Sequence, residues 1–388
     1  MLLCYKYYKI NMKYPASVAI NGKFLLQSTT GVQRFAKELL LAVDKLLANE
    51  DWNTIVPFDL LIPVGNTKKV PKFDAIGVRE TPSEKLFFWE QFILPGVASK
   101  DLLINLAGSA PLFKHYQICT FHDAAIFDFP KAYTIGFKFW YRFLFWIQSR
   151  FCLRVITVSQ FSRQRLSFHL GVPISRISVV PNGASHFANQ STDCADDVIS
   201  RLNITPKKYF LVVASDNPSK NIRALLHAFI SIELPDLYLV IVGGRNSSVF
   251  SGASDDKPFS FDPRVICTGR LKDRELKSLY KNALAFVFPS LYEGFGIPPL
   301  EAMSCDCAVL ASNIAAIPEV CGDAVGYFDP KSISSMKATL VRAYNDPLWI
   351  ESLRQAGRER VKSYSWSHAA EQFLTLLSSF GVVYRNQP

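Results

Sequence analysis

The 388-residue sequence contains no uninterrupted run of about 20 apolar residues, the length that a membrane-spanning helix requires. Its longest aromatic segment, Phe137–Phe151, is interrupted by the polar residues Lys138, Arg142, Gln148 and Arg150. The N-terminal stretch Met1–Asn11 is too polar for the apolar region of a signal peptide, and Met12 is a second candidate for the start. We therefore expect no segment of the chain to cross a membrane.

Paired cysteines and repetitive tracts are also missing. The eight cysteines include no C-x-x-C pair and no Cys/His spacing typical of a zinc site. Scattered thiols of this kind favour a reducing compartment, so the sequence predicts a cytoplasmic protein. There is no low-complexity tract and no repeat at the period of a solenoid. With 49% hydrophobic residues the chain can bury large cores, which excludes intrinsic disorder.

Acidic residues are scarce only in the first half of the chain. The formal net charge is +10, from 43 Lys and Arg against 33 Asp and Glu. Residues 1–190 hold 22 basic and 12 acidic side chains, whereas residues 191–388 hold 21 of each. Within the first half, residues 114–176 carry nine basic and two acidic side chains. This asymmetry predicts that the first half meets an anionic partner.

Short β-type runs alternate with helical patterns, which is typical of doubly wound parallel sheets with helices on both faces. The predicted strands of the first half are Ser17–Ile20, Ile55–Ile62, Leu102–Asn105, Ile118–His122, Val155–Val158 and Ile177–Val180. Those of the second half are Phe210–Ala214, Leu237–Val242, Arg264–Thr268, Ala285–Pro289 and Ala308–Ala311. The longest predicted helices are Gly31–Leu47, Tyr133–Leu153, Pro347–Lys362 and Ser365–Phe380. The predicted fold class is therefore α/β.

We divide the chain into two Rossmann-like domains, residues 1–190 and residues 191–365. The polar segment Ser185–Asp197 is the best candidate for the linker between them. A C-terminal helix within residues 366–388 is expected to cross back to the first domain. Two such domains face a cleft, and ligands of parallel sheets bind at the carboxyl ends of strands. The chemistry should therefore lie on loops that follow strands.

The strongest motif is Pro289–Glu301, with the sequence PSLYEGFGIPPLE. A strand ends, a Gly-x-Gly loop follows, and two prolines pre-set the first turn of a helix. This arrangement directs free backbone N–H groups and a helix dipole at whatever lies above the loop, which favours an anion. Glu293 can reach a ligand group beside a phosphate, and Glu301 can accept hydrogen bonds from a vicinal diol. Taken singly, Glu293 also fits a solvated loop residue and Glu301 an acid that favours the helix dipole.

Three weaker candidates follow other predicted strands. Lys220 stands at a turn before a helix, where an ammonium can neutralise a phosphate, although such a lysine is more often a solvated surface residue. Gly31 in Thr30–Arg34 permits a close backbone approach but also fits a plain turn. His122 ends a strand and can bond a sugar hydroxyl, or it can simply bond a neighbouring loop.

These motifs together resemble glycosyltransferase family 4, the retaining sugar transferases of the GT-B fold. The resemblance rests on FPSLYEGFGIPPLEAM and the following AIPEVCGDA. Within the family, the sequence is similar to bacterial polysaccharide mannosyltransferases. Supporting segments are TTGVQRF, FHDAAIFDFP, ITVSQFSRQRL, VVPNGA, NPSKN and YSWSHAAEQFL, so the likeness spans roughly residues 15–380. It implies two Rossmann-like domains around a cleft.

The resemblance also implies roles for individual residues. Glu293 would contact the donor hexose, Glu301 the nucleotide ribose and Lys220 the diphosphate. His122 would face the transferred sugar, and Gly31 would lie under the diphosphate. Backbone groups that would hold sugar and phosphate belong to Gly294, Phe295, Gly296 and Ile297. The loop around Gly269 and Arg270 is expected to contact the base.

Members of this family generally work without a metal, and the sequence has no Asp-x-Asp motif, so no metal and no other cofactor is expected. Many relatives carry an arginine beside the phosphate-binding lysine. Here the nearby positions are Ser215 and Ser219. Either Arg223 or Arg245 compensates, or backbone amides hold more of the leaving group's charge.

The helix predicted around Phe137–Cys152 has two faces. An ordinary core stripe would consist of Trp140, Phe143, Leu144, Ile147 and Phe151. The opposite face mixes the basic residues with Phe139, Phe145 and Trp146. Such a face suits the surface of an anionic membrane, at the inner side of a plasma membrane, unless a neighbouring segment covers it. Nucleic acid is not expected as a partner, because the basic residues are not concentrated on a recognition element.

The leading functional hypothesis is a retaining glycosyltransferase. It would move a hexose, with mannose from GDP-mannose as the first choice, to a lipid-linked polysaccharide acceptor of the O-antigen type. A UDP- or dTDP-sugar is an alternative donor, and a nucleotide-sugar epimerase or hydrolase is an alternative reaction. A non-catalytic binding module is disfavoured, because Glu293, Glu301 and Lys220 are all present.

Overall fold

The computed structural model of the protein describes residues 15–82, 85–188, 196–213, 217–243 and 262–386. Two parallel sheets organise these residues, one in each half of the chain. Helices cover both faces of each sheet, so the predicted α/β class with two doubly wound domains is confirmed. The domain boundaries at residues 190 and 365 stay a prediction.

The first sheet has seven strands in the order β4-β3-β1-β5-β6-β7-β8, all parallel to their neighbours. They are β1 Val18–Asn21, β3 Phe58–Pro63, β4 Gly77–Thr81, β5 Leu102–Asn105, β6 Gln117–Thr120, β7 Arg154–Thr157 and β8 Ile177–Val179. The strand order reverses between β1 and β5. At such a switch point the following loops diverge and leave a crevice at the carboxyl edge of the sheet.

The second sheet has six parallel strands in the order β11-β10-β9-β12-β13-β14. They are β9 Tyr209–Val213, β10 Tyr238–Val242, β11 Val265–Gly269, β12 Ala285–Phe288, β13 Val309–Ser312 and β14 Gly326–Phe328. Here the order reverses between β9 and β12. Lys220 follows β9 and the motif around Glu293 follows β12, so the sheet itself brings these two segments together.

Nine helices of eight or more residues lie in the described ranges. They are α1 Gly31–Ala48, α2 Ile135–Phe151, α3 Gln160–Leu170, α4 Ile222–Ile230, α5 Asp273–Asn282, α6 Ile297–Ser304, α7 Ile333–Asn345, α8 Pro347–Lys362 and α9 Trp366–Ser378. Shorter α-helical turns are Leu86–Phe88, Leu94–Val97, Ala125–Asp128, Ser185–Ala188, Asp196–Arg201 and Ile317–Cys321. A π-helical turn, Trp89–Ile93, joins the first two of these.

Sequence patterns missed some elements. Strand β4 has the sequence GVRET and lies at the exposed edge of the sheet, so it shows no apolar run. Strand β14 has only three residues. Two short helices, Ser185–Ala188 and Asp196–Arg201, overlap the ends of the predicted linker Ser185–Asp197, which itself stays a prediction. The stretch between them, residues 189–195, lies outside the described residues.

The C-terminal part of the chain lies against the first domain. Helix α9 packs along α1, and the ring of Trp366 lies 6.1 Å from that of Phe35. Gly183 allows a close approach here, because a Cβ at this position would lie 2.5 Å from the Trp366 backbone nitrogen. After α9, strand β15 (Val383–Arg385) pairs antiparallel with β2 (Trp52–Thr54). The last described segment therefore adds a small second sheet to the first domain.

Candidate active site

The loop between β12 and α6, which we call the glycine loop (Leu291–Ile297), ends at a helix N-terminus. Gly296 is the N-cap of α6 and has φ of +100°, a conformation that favours glycine. Proline occupies the first turn, where its missing N–H costs no hydrogen bond. The sequence thus builds a helix start whose remaining amides and dipole favour an anion.

Lys220 and Glu293 meet at the switch point of the second sheet. Lys220 ends a short 3-10 turn, Pro218–Lys220, and its Nζ lies 2.6 Å from Glu293 Oε1. The two loops are also joined by their backbones, because Leu291 N donates to Ser219 O at 2.7 Å. Both side chains are mostly covered, with 24% and 15% of their surface exposed. The two residues that the sequence assigned to diphosphate and sugar therefore form one ion pair.

Glu301 lies one turn inside α6 and is buried, with 7% of its surface exposed. Its charge reaches Arg34 of α1, across the cleft between the domains. Burial opposes the charged form of Arg34, but two hydrogen bonds to Asp273 at 2.9 and 3.1 Å, together with the Glu301 charge, raise its pKa. Arg34 lies within the segment TTGVQRF, but no local sequence signal predicts its ion pair with Asp273 in the other domain.

Gly31 and Ile297, both predicted site residues, face each other across the cleft. Gly31 is the first residue of α1, and a Cβ on it would lie 3.8 Å from Ile297 Cδ1. That distance is an ordinary van der Waals contact. The helix starts of α1 and α6 are therefore neighbours, one from each domain.

His122 follows β6, and its ring lies edge-on to Phe35 at 5.0 Å between centroids. Its Nε2 lies 3.0 Å from Leu106 O, and a carbonyl only accepts, so this nitrogen carries the proton. Desolvation lowers the pKa of His122 to about 4, although the Leu106 bond works in the opposite direction. The imidazole is therefore neutral near pH 7. His122 thus bonds a neighbouring loop, which is one of the two possibilities that the sequence left open.

Asp123 also belongs to this region. It lies in the segment FHDAAIFDFP, and the sequence predicted no role for it. Its Oδ1 accepts from Ala125 N at 2.8 Å. Burial raises the pKa of Asp123, and the nearby charge of Glu293 raises it further, while Lys220 lowers it. The first domain thus contributes a carboxyl group that shares the electrostatic environment of the Lys220–Glu293 pair.

Other predicted residues are more distant from this pair or serve another purpose. Arg270 is exposed on the bend after the edge strand β11, two strands away from β9. The Phe295 side chain is 5% exposed and its ring packs 5.6 Å from that of Tyr364, so only its backbone is available to a ligand. Arg223 is exposed on α4, and both Ser215 and Arg245 lie outside the described residues.

No group of three possible metal ligands occurs among the described residues. Within the same ranges, no helix combines the length and apolarity that a membrane crossing needs.

Helix α2 differs from its predicted two-faced arrangement. The predicted core residues Trp140, Phe143 and Phe151 are 42%, 49% and 40% exposed, whereas Phe145, assigned to the opposite face, is 9% exposed. Only Leu144 of the predicted stripe is fully buried. The core face consists of Leu144, Phe145, Gln148 and Ser149. Because aromatic side chains occupy all sides of the helix, its neighbours decide which side is buried.

Two of the three basic residues of α2, Arg142 and Arg150, are held inward. Arg142 donates to Ile126 O at 3.2 and 3.1 Å, and Arg150 donates to Leu170 O at 3.1 Å. Exposed aromatic and aliphatic side chains instead form a continuous surface with the neighbouring turn, where Phe87 lies 6.4 Å from Trp140. We call this surface the aromatic ridge, which consists of Phe87, Phe88, Phe92, Ile135, Phe137, Phe139, Trp140, Phe143 and Trp146.

Comparison with protein families gives two matches along the chain. Residues 196–362 match the model "Glycosyl transferases group 1", and residues 105–186 match "Glycosyltransferase Family 4". The O-antigen chain mannosyltransferase B of Escherichia coli is 30% identical over 265 residues, which cover 66% of this chain and 68% of that protein. The chain belongs to glycosyltransferase family 4. It is therefore a glycosyltransferase, as the sequence motifs predicted.

Other relatives carry related names. The O-antigen chain mannosyltransferase RfbU of Salmonella typhimurium is 31% identical over 64% of this chain and 66% of its own length. The serotype-specific mannosyltransferase WbdA of E. coli is 34% identical over 45% of this chain. That match covers only 22% of WbdA, which is a much longer protein.

Solved structures match the whole fold at low sequence identity. Sucrose-phosphate synthase from Thermosynechococcus elongatus has a TM-score of 0.69 and 17% identity, over 94% of this chain and 99% of that one. WaaG, a glycosyltransferase of lipopolysaccharide biosynthesis, has a TM-score of 0.68 and 13% identity, over 93% and 99%. Anabaena HepE in complex with UDP and glucose scores 0.67 at 15% identity, over 94% and 100%. The predicted GT-B fold is confirmed.

Proposed function

We propose that this glycosyltransferase moves a hexose, with retention of anomeric configuration, from a nucleotide sugar to a lipid-linked polysaccharide acceptor. The observation that carries the proposal is the Lys220–Glu293 ion pair beside the N-terminus of α6. Mannose from GDP-mannose is the proposed donor, because the relatives include O-antigen mannosyltransferases. The chain covers about two thirds of these two relatives' lengths.

The leaving nucleoside diphosphate needs positive charge as the anomeric bond breaks. Lys220 Nζ and the free amides at the start of α6 can supply it, in the place where other enzymes use a metal. We propose that donor binding separates the 2.6 Å ion pair, so that Lys220 turns to the diphosphate and Glu293 to a hydroxyl of the hexose. Glu301 lies deeper along α6, where its carboxylate can accept from the ribose diol. We assign no protein nucleophile; attack on the donor would come from its front face.

A panel of nucleotide sugars tests this proposal. Purified protein is incubated with GDP-mannose, UDP-glucose or dTDP-glucose, with and without a lipid-linked saccharide acceptor, and nucleoside diphosphate release is measured. We expect release with GDP-mannose that depends on the acceptor. Release without any acceptor would favour a hydrolase. Conversion of the nucleotide sugar without release would favour an epimerase.

The acceptor side of the proposal concerns the aromatic ridge. Contiguous exposed apolar patches are rare on soluble monomers, and they mark interaction surfaces. Phe92, Ile135 and Phe139 are 61%, 69% and 73% exposed. Phe and Trp side chains suit the interfacial zone of a bilayer, where a lipid-linked acceptor resides.

Charge around the ridge favours an anionic lipid surface over a second copy of the chain. Among described residues 85–151, Lys85, Lys100 and Lys131 are exposed, whereas none of the acidic side chains in this range is. Two copies would each carry these lysines on the segment that bears the ridge and would repel one another, whereas an anionic bilayer would attract them. We therefore propose peripheral contact with an anionic membrane at its cytoplasmic face, made chiefly by aromatic side chains.

Vesicle co-sedimentation tests the ridge directly. The variant F92S/I135S/F139S removes its three most exposed side chains, and L348S removes a side chain of the second domain that is 85% exposed. We expect the triple variant to lower binding to phosphatidylglycerol-containing vesicles by about tenfold or more, because each buried Phe or Ile contributes roughly 1.5–3 kcal/mol. L348S should bind like wild type. Equal binding by wild type and the triple variant would contradict the proposal.

A further inference from the structure

The glycine loop is held in place by the first domain as well as by its own sheet. Ser159 Oγ donates to Gly294 O at 2.6 Å, and Ser162 Oγ donates to the same carbonyl at 3.0 Å. Both serines belong to the first turn of α3 or its N-cap. They therefore fix the peptide group between Gly294 and Phe295, one residue after Glu293, and they do so only while the two domains are in contact.

A second contact joins α3 to the second domain a short distance away. The backbone amides of Gln160 and Phe161 donate to the two carboxylate oxygens of Glu319, at 2.7 and 2.8 Å. These amides open a helix and have no partner within it, so the charge of Glu319 also meets the positive end of the helix dipole. The segment that carries Glu319 touches the glycine loop in turn, because Ala316 N donates to Glu293 O at 3.3 Å.

Steric fit supports the same contact. A Cβ on Gly294 would lie 2.4 Å from Asp123 Cβ and 2.8 Å from His122 O, both in the first domain. Tyr292 adds a hydrogen bond of 3.0 Å from its OH to Asp128 Oδ2. Four hydrogen bonds thus hold Tyr292, Glu293 and Gly294, and three of the four cross between the domains.

We propose that Glu319 and Ser159 are positioning residues: they set the backbone of Glu293 when the domains close, so that the donor site is complete only in the closed enzyme. The inference rests on the proposed role of Glu293. The diphosphate-binding groups, Lys220 and the start of α6, lie within the second domain. Loss of the contact should therefore spare nucleotide affinity and reduce turnover.

The test compares E319A, S159A and S159T with wild type, and with E359Q as a matched control. Glu359 is an acid of the same domain that pairs with Lys362 on its own helix. We expect E319A and S159A to lower kcat by about tenfold or more, because misplacing a catalytic group by about 1 Å costs up to about 100-fold. GDP and UDP affinities, measured by calorimetry, should stay within about twofold. S159T keeps the hydroxyl and should largely restore kcat.

Small-angle scattering supplies a readout that does not depend on activity. We expect a larger radius of gyration for E319A than for wild type and E359Q, because the domains separate. Unchanged kcat and an unchanged radius in E319A would overturn the inference, as would a parallel loss of kcat and nucleotide affinity. If wild type acts on no nucleotide sugar, the proposed function fails, and the scattering comparison still decides whether Glu319 holds the domains closed.

Discussion

The glycine loop and helix α2 are both rich in large apolar residues. The sequence predicted the local structure of the loop correctly, but it predicted the wrong buried face for α2. In the loop, local geometry accounts for the helix start: a strand ends, Gly296 takes a positive φ, and prolines begin the next helix. In α2, aromatic residues occupy all sides, so no stripe distinguishes the core face. Local constraints can be read from a sequence, whereas the burial of an evenly apolar helix depends on its neighbours.

Among substitutions in these two regions, Gly294→Ala should have the largest effect on stability and activity. The new Cβ would lie 2.4 Å from Asp123 Cβ, so the domains cannot approach as closely. We expect a loss of about 1–3 kcal/mol in unfolding free energy, typical of overpacking, and a loss of transfer activity of about tenfold or more. Thermal unfolding and steady-state kinetics measure both.

Gly136 in the first turn of α2 provides the control for this substitution. A Cβ at Gly136 would meet no atom within 4 Å, so Gly136→Ala should leave stability unchanged or slightly higher. If the two alanine variants unfold at the same temperature, the tight interdomain contact at Gly294 does not exist in solution.

A smaller effect is expected on α2 from Arg142→Ala. Arg142 makes two bonds to Ile126 O and lies 5.5 Å from the Phe127 ring. Its loss should lower the unfolding free energy by about 1–2 kcal/mol, measured by urea denaturation. Lys138→Ala should change it by less than about 0.5 kcal/mol, as is usual at surface positions. Equal effects would mean that Arg142 faces lipid or solvent, as the sequence pattern suggested.

The smallest expected effect is the pH dependence of stability that His122 contributes. This residue lies between the glycine loop and helix α2. Burial lowers its pKa to about 4, below the ordinary 6.5, so the unfolded chain binds more protons between these values. This contribution to stability is complete above pH 6.5 and is lost as the pH falls towards 4. His122→Gln should therefore show a shallower decline in melting temperature over this window. An NMR titration of wild-type His122 with a midpoint near 6.5 would contradict this account.

Much of the fold could be predicted because buried parallel strands are short apolar runs. The predicted strand Leu102–Asn105 and the helix Pro347–Lys362 agree with the structure at both ends. Helix α3 was not predicted as a helix, since polar and charged residues cover most of it and leave only Ser162, Leu166 and Leu170 buried. Strand β4 was missed because its position at the sheet edge leaves most of its residues accessible to solvent.

The candidate site shows the same division. The sequence identified Lys220 and Glu293 separately, and the strand order of the second sheet explains why they meet. It did not identify Glu319 or Ser159 as contacts of one site, because their partners come from the opposite domain. Contacts between residues about 130 to 160 positions apart leave no periodic signal in a single sequence.

The central claim is that Glu293 of the ion pair with Lys220 is required for sugar transfer but not for nucleotide binding. Steady-state transfer by Glu293→Gln, together with calorimetry of GDP binding, tests it most directly. The glutamine keeps the size of the side chain and removes its charge, so we expect kcat to fall by about 100-fold or more while GDP affinity stays within a few-fold. A variant that turns over like wild type would contradict the claim.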